Sequence, residues 1–163
     1  MMKKFGNRMG AVAAVIMFAI TSASAQEMRR APIAKRNTVA QEQHRLILQV
    51  NSNDPAMMNL ALNNATNVVQ YYQGMGQKVS IEVVTFGPGL HMLRADTSPV
   101  KARIETLALS TPEISFKACG NTQENMRKAE GKDVVLIPQA NLVSSGVVRV
   151  MELQEQGWSY VKP

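Results

Sequence analysis

Arg45-Leu-Ile-Leu-Gln-Val50 runs straight into Asn51-Ser-Asn-Asp-Pro55, after which Met58, Ala61, Leu62, Ala65, Val69 and Tyr72 recur at spacings of three and four. The first run is short, apolar and stopped by a polar break, which suits a strand buried on both faces. Asp54 before Pro55 marks a helix start: the carboxylate can accept a first-turn N–H, and proline supplies the first helical φ. The spaced apolar set then makes one buried stripe, and Gly74 and Gly76 end it.

The same alternation continues outward from this unit. Lys78 to Phe86 is rich in β-branched residues and predicts a second strand. Gly87-Pro-Gly89 forces a turn, and Leu90-His-Met-Leu93 follows. Pro99 opens a helix with Val100, Ile104, Leu107 and Ala108 on one side, and Thr111-Pro112 closes it. Ile114-Ser-Phe-Lys-Ala118 alternates as a third strand. Asn121 and Glu124 have capping-box spacing, which starts the next helix at Asn121 and leaves Cys119 two residues outside it. Gly131 ends that helix. Asp133-Val-Val-Leu-Ile137, stopped by Pro138, predicts the fourth strand. Ser144 or Ser145 starts a last helix bearing Val147, Val150 and Met151, and Trp158-Ser-Tyr-Val161 makes a fifth strand. Strict alternation of this kind predicts one α/β domain over 43–163, a three-layer α/β/α sandwich around a mostly parallel five-stranded sheet.

Composition agrees. With 45% hydrophobic and 18% charged residues among 163, the chain is neither disordered nor collagenous nor a disulfide-stapled miniprotein. Before the domain, Lys3, Lys4 and Arg8 precede an apolar run from Met9 to Ile20, and Thr21-Ser-Ala-Ser-Ala25 closes it. That layout predicts a secretory signal peptide at 1–25, cut after Ala25, and a periplasmic mature protein. The run is shorter than the roughly 20 residues a membrane helix needs, so no stable membrane insertion is expected after cleavage; an uncleaved anchor is the alternative. Cleavage lowers the net charge from +6 to +3. Residues 26–42 hold Arg29, Arg30, Lys35 and Arg36 without apolar periodicity and predict a flexible basic arm. Basic and aromatic residues do not interleave, so nucleic acid is not an expected partner.

In a parallel sheet all strand exits share one edge, where ligands bind. That edge would gather Asn51 to Asp54, Gly87 to Met92, Cys119 to Thr122 and Pro138 to Ser145. Cys119 is the lone cysteine, so an internal disulfide is impossible. Near a helix start, unpaired N–H groups favour its thiolate, the reactive form. Phe116 and Ala118 work against ionisation, and an inert buried thiol is the other reading. His91 could hydrogen-bond the thiol, move a proton or bind metal, or be an ordinary loop histidine. His44 has no such setting. Asn51, Asn53, Gly89, Gly120, Asn121, Thr122, Ser144 and Ser145 are candidate contacts for a small ligand, though such residues also serve turns and caps. Met57, Met58, Met75, Met92 and Met126 raise a Cu(I) site with Cys119 and His91, but no His-x-His or Met-x-x-Met cluster supports it. No acid pair, Ser-His-Asp set, phosphate-binding glycine loop or zinc spacing is present, so no metal or cofactor is predicted.

Three stretches carry a resemblance: Gly87-Pro-Gly-Leu-His-Met-Leu-Arg-Ala-Asp96, Phe116-Lys-Ala-Cys-Gly-Asn-Thr122, and Ser144-Ser-Gly-Val-Val-Arg-Val-Met-Glu-Leu-Gln-Glu-Gln-Gly157. With Leu48 to Ala56 and Asn59 to Ala65, they make residues 43–163 resemble the DsrE/DsrF-like family, associated with sulfur relay. The resemblance implies an α/β/α sandwich that forms homo-oligomers. It also implies a cysteine that takes up sulfane sulfur as a persulfide, for which Cys119 is the candidate. The chain departs from the cytoplasmic relay members in its export signal. The leading expectation is a periplasmic sulfur-binding or sulfur-transfer protein using Cys119 with His91, its sulfur donor and acceptor unassigned. The others are a non-catalytic ligand-binding or oligomeric assembly module, and a Cu(I) site at Cys119, His91 and Met92.

Overall fold

A computed structural model describes residues 43–163 of the chain. The signal peptide expected at 1–25 and the basic arm expected at 26–42 lie outside the described residues. The elements are β1 (Gln43–Val50), α1 (Pro55–Gly74), β2 (Lys78–Thr85), a 3-10 helix (Gly87–Leu93), α2 (Lys101–Ser110), β3 (Ile114–Cys119), α3 (Gly120–Glu130), β4 (Ala140–Val143), α4 (Gly146–Glu155) and β5 (Ser159–Val161). Asp54 Oδ1 accepts the Ala56 N–H at 2.9 Å, and Pro55 occupies the first turn of α1, as the sequence predicts.

All strand pairings are parallel, in the order β4-β3-β2-β1-β5. The chain steps from β1 to β4 one strand at a time and then returns past the sheet to pair β5 with β1. Right-handed crossovers put the stepping helices on one face and the returning helix on the other. Leu46, Leu48, Val50, Val79, Ile81, Val83, Ile114, Phe116 and Ala118 accordingly form the large core with α1, the 3-10 helix and α2. Each large side chain fully buried there contributes about 1.5–3 kcal/mol. Among the described residues the other face is covered by α4, through Val150 and Leu153 on Ile47 and Val84. Arg149 fixes α4 to the sheet by a two-pronged pair with the buried Glu82, at 2.9 and 2.6 Å.

Two expectations are corrected. The fourth strand is Ala140–Val143, not Asp133–Ile137. Val134 and Ile137 bury their side chains, but the backbone of this run bonds to the exit of the 3-10 helix. Ala95 N–H donates to Val135 O at 2.8 Å and Ile137 N–H to Leu93 O at 2.9 Å. Its ladder groups are thus spent away from β3. Strand β4 lies at the sheet edge with Asn141 and Leu142 exposed, so it lacks the apolar density of an inner strand. Secondly, α3 starts at Gly120 with Cys119 as its N-cap, two residues earlier than the capping box implies. Asn121 is inside the helix, and its N–H donates to Ser144 O at 3.2 Å. Glu124 pairs with Arg127 at 2.7 and 2.8 Å instead of reaching back to a cap.

Candidate functional site

Strand β3 delivers Cys119 to the C-terminal edge of the sheet. Alternation along the strand turns Phe116 and Ala118 into the large core, and Cys119 toward the α4 layer. The thiol group's residue is only 4% exposed. The start of α4 lies directly on it: a Cβ added to Gly146 would stand 3.2 Å from Cys119 Cβ and 2.8 Å from Phe86 Cδ1. Only a glycine allows that approach.

No first-turn N–H closes a full capping hydrogen bond on the sulfur. The thiol is nonetheless more acidic than an ordinary cysteine. Burial is the largest single influence and opposes ionisation. The Thr122 side chain and the N–H groups of Gly146, Thr122 and Asn121 together outweigh it. Those groups come from the starts of two helices, α3 and α4, where unpaired donors and the helix dipoles favour negative charge.

The candidate residues divide among three places. Asn53, His91 and Thr122 line one groove of about 400 Å³ between the 3-10 helix and α3, with Pro88, Asn125 and Met126. Ser144 and Ser145 line a second cleft of about 340 Å³ between β4 and α4, with Leu142, Val148 and Arg149. Thr122, in the first turn of the helix that Cys119 caps, is on the wall of the first groove. The rest are packing positions. Gly89 crosses β1 so closely that a Cβ would lie 2.1 Å from Val50 O and 2.8 Å from Asn51 Cα, so Asn51 and Gly89 form a backbone crossing. A Cβ on Gly120 would come within 3.2 Å of Val143 O. Ser145 is the N-cap of α4, its Oγ accepting from Val148 N–H at 3.5 Å.

His91 is not hydrogen-bonded to the thiol. Its Nδ1 pairs with Thr97 Oγ1 at 2.8 Å, which orients the ring at the groove wall. His44 stacks on Tyr72 with ring centroids 3.7 Å apart, away from this edge. Met92 is fully buried in the large core, so Cys119, His91 and Met92 are not gathered as a copper site. Among the described residues no group of three or more His, Cys, Asp or Glu side chains could hold a metal ion. Likewise, none of the described helices is long and apolar enough to cross a membrane.

Among solved structures, the chain is similar to a protein of unknown function, MTH1491, from Methanobacterium thermoautotrophicum. The two share 29% identity at a TM-score of 0.62, over 74% of this chain and 99% of that one. No family model matches the chain. No curated protein matches it either. The archaeal structure supports the α/β sandwich and carries no activity with it.

Sequence reasoning missed Gly146, whose backbone packs closely on Phe86 and Cys119. The available signal was Ser144-Ser145-Gly146 at a helix start: a glycine just inside a helix, where it costs stability, points to a close approach. It also missed Arg94, which is buried with its guanidinium paired to Asp96 at 2.8 Å and to Glu130, and which ties the 3-10 helix exit to the end of α3. A buried arginine has no sequence signature of its own.

Proposed function

We propose that this protein binds and transfers sulfane sulfur as a persulfide on Cys119, working in the periplasm after loss of its leader. The observation that carries the reading is the seat of Cys119 at the starts of α3 and α4, where neighbouring donors make its thiol more acidic in spite of burial. The resemblance of residues 43–163 to the DsrE/DsrF-like family supports it. In the reaction the Cys119 thiolate attacks the outer sulfur of a donor persulfide, R–S–SH. A new S–S bond forms on Cys119, the donor S–S bond breaks, and the donor thiolate leaves and takes a proton from solvent. Reversal onto an acceptor thiolate delivers the sulfur. The donors that lower the thiol pKa also stabilise the persulfide anion, and shielding of the sulfur slows its loss to adventitious reductants.

The test is intact mass after treatment with a small organic persulfide. The wild-type protein gains about 32 Da, one sulfur atom, and Cys119→Ser gains nothing. The reading fails if wild type stays unmodified or the variant is modified equally. The location has its own test: periplasmic extracts yield a chain beginning at Gln26.

A second reading, an oligomeric assembly module, is favoured by one feature. Val147, Val148 and Met151 lie on the side of α4 turned from the sheet and are 52%, 49% and 54% exposed. A helix apolar on both sides is usually covered on both. In this reading the chain self-associates through α4. Light scattering then gives a mass above that of one chain, reduced to a monomer by Met151→Lys. A wild-type monomer at micromolar concentration refutes it.

A further inference from the structure

The groove between the 3-10 helix and α3 has two walls that are tied together at both ends. Pro88 and His91, three apart on the 3-10 turn, belong to one wall; Asn125, Met126 and Ala129, on one side of α3, belong to the other. Near the exit of β3, the Gly87 N–H donates to Thr122 Oγ1 at 3.0 Å. At the far end Arg94, just past the 3-10 helix, donates to Glu130 Oε2 at 2.9 Å and reaches Met126 Sδ at 3.8 Å. These ties fix the spacing of the walls around a volume of about 400 Å³. A preformed hollow of this size is usual for a small-molecule site. From Thr122 to Ala129 it runs about 10 Å along the helix.

The chemistry of the walls selects the ligand. No Asp, Glu, Lys or Arg lines the groove, whereas Arg149 and Glu152 line the cleft between β4 and α4. A charged ligand group would lose water in the groove without gaining a counter-charge. The polar atoms available are of another kind. Asn53 and Asn125 are exposed, and their carboxamides make no hydrogen bond to another described residue. Thr97 Oγ1 engages His91 Nδ1 at 2.8 Å and fixes the ring. A carboxamide donates through nitrogen and accepts through oxygen, so it matches a ligand group that does both, another amide above all. Pro88, Met126 and Ala129 add apolar surface.

We infer that this groove binds a small uncharged carboxamide carrying an apolar group, with Asn53 and Asn125 holding the amide and Pro88, Met126 and Ala129 packing on the apolar part. The site uses no atom of Cys119 and does not depend on the persulfide reading.

The test is NMR titration of the protein with N-acetyl-L-leucinamide. The Asn125, Met126 and Ala129 signals shift and saturate, with a dissociation constant on the order of a millimolar, as expected for a ligand of this size. N-acetyl-L-leucine, which puts a carboxylate in place of the terminal amide, binds about tenfold or more weakly. N-acetylglycinamide, which lacks the apolar group, loses about as much. Asn125→Ala weakens the leucinamide about fivefold. Ala129→Trp, which fills the groove from an exposed position, abolishes its binding. Equal affinity for the amide and the carboxylate overturns the selection. The site is overturned if no signal saturates at ten times the expected constant, or if Asn125→Ala and Ala129→Trp both bind as wild type does. Should tryptophan prevent folding, unchanged binding in Asn125→Ala alone overturns it.

Discussion

Gly146 does at the sulfur what no other residue could. Its N–H lies at the first turn of α4, and its missing side chain lets that turn rest on Phe86 and Cys119. Gly146→Ala must push α4 outward by the width of a methyl group. The expected cost is about 1–3 kcal/mol by urea denaturation, the usual range for overpacking. The thiol inflection also moves up, because a donor that favours the thiolate is withdrawn. Normal stability with an unshifted thiol would mean that α4 does not press on Cys119. Gly89 is a contrasting case at the same scale. With only 2.1 Å from the position of its absent Cβ to Val50 O, Gly89→Ala demands backbone movement between β1 and the 3-10 helix. We expect a loss of about 3 kcal/mol or more, or no soluble protein.

Among the elements, α4 is the most exposed to a single substitution, because no other described helix lies in its layer. The small apolar patch under it is reinforced by the Arg149–Glu82 pair. Removing Arg149 leaves the Glu82 carboxylate buried without its partner. Arg149→Met is therefore expected to cost about 1–3 kcal/mol, and Glu82→Gln in that background to restore part of it. Equal stability of wild type and Arg149→Met would contradict this account of the layer. The elements also show where the sequence was legible. Helix α1 was readable end to end, since its cap, proline and apolar spacing are local chemistry. Inner strands β1, β2 and β3 were readable because both of their faces are buried. Strand β4 was not. Edge position removes the need for apolar residues on both faces, while Val134 to Ile137 are apolar for a different reason, closing the core beside the 3-10 helix. The start of α3 was misplaced because Asn121 fits a cap by type. What decided the start was the fit of Gly120 against β4, a tertiary contact. Cys119, His91, Asn53 and Thr122 were legible as an edge cluster. That His91 would pair with Thr97, and that Gly146 would cover the sulfur, depended on packing no local pattern encodes.

At the scale of the whole molecule, Arg94 links the loop after β2 to the end of α3, and its burial makes the link sensitive to acid. Hydrogen bonds from its guanidinium hold the Asp96 carboxyl well below the usual carboxylate range and lower that of Glu130. A group with a lowered folded pKa adds stability above its unfolded pKa, near about 4, and loses it as pH falls through the folded value. The urea midpoint should therefore decline as pH is lowered from about 5 toward 2, and less steeply in the Asp96→Asn, Glu130→Gln double variant. Added salt blunts the effect, since both carboxylates are partly exposed. A double variant as acid-sensitive as wild type would assign the sensitivity to other groups. The same linkage braces the groove, because Met126, on its wall, also contacts Arg94.

The central claim is that donors at the joint start of two helices make the Cys119 thiol more acidic than an ordinary one. The most direct measurement is the ionisation of Cys119 in the intact wild-type protein, from the rate of iodoacetamide alkylation as a function of pH. The account predicts an inflection clearly below the value of about 8.5 for a free cysteine. An inflection at or above that value would contradict it.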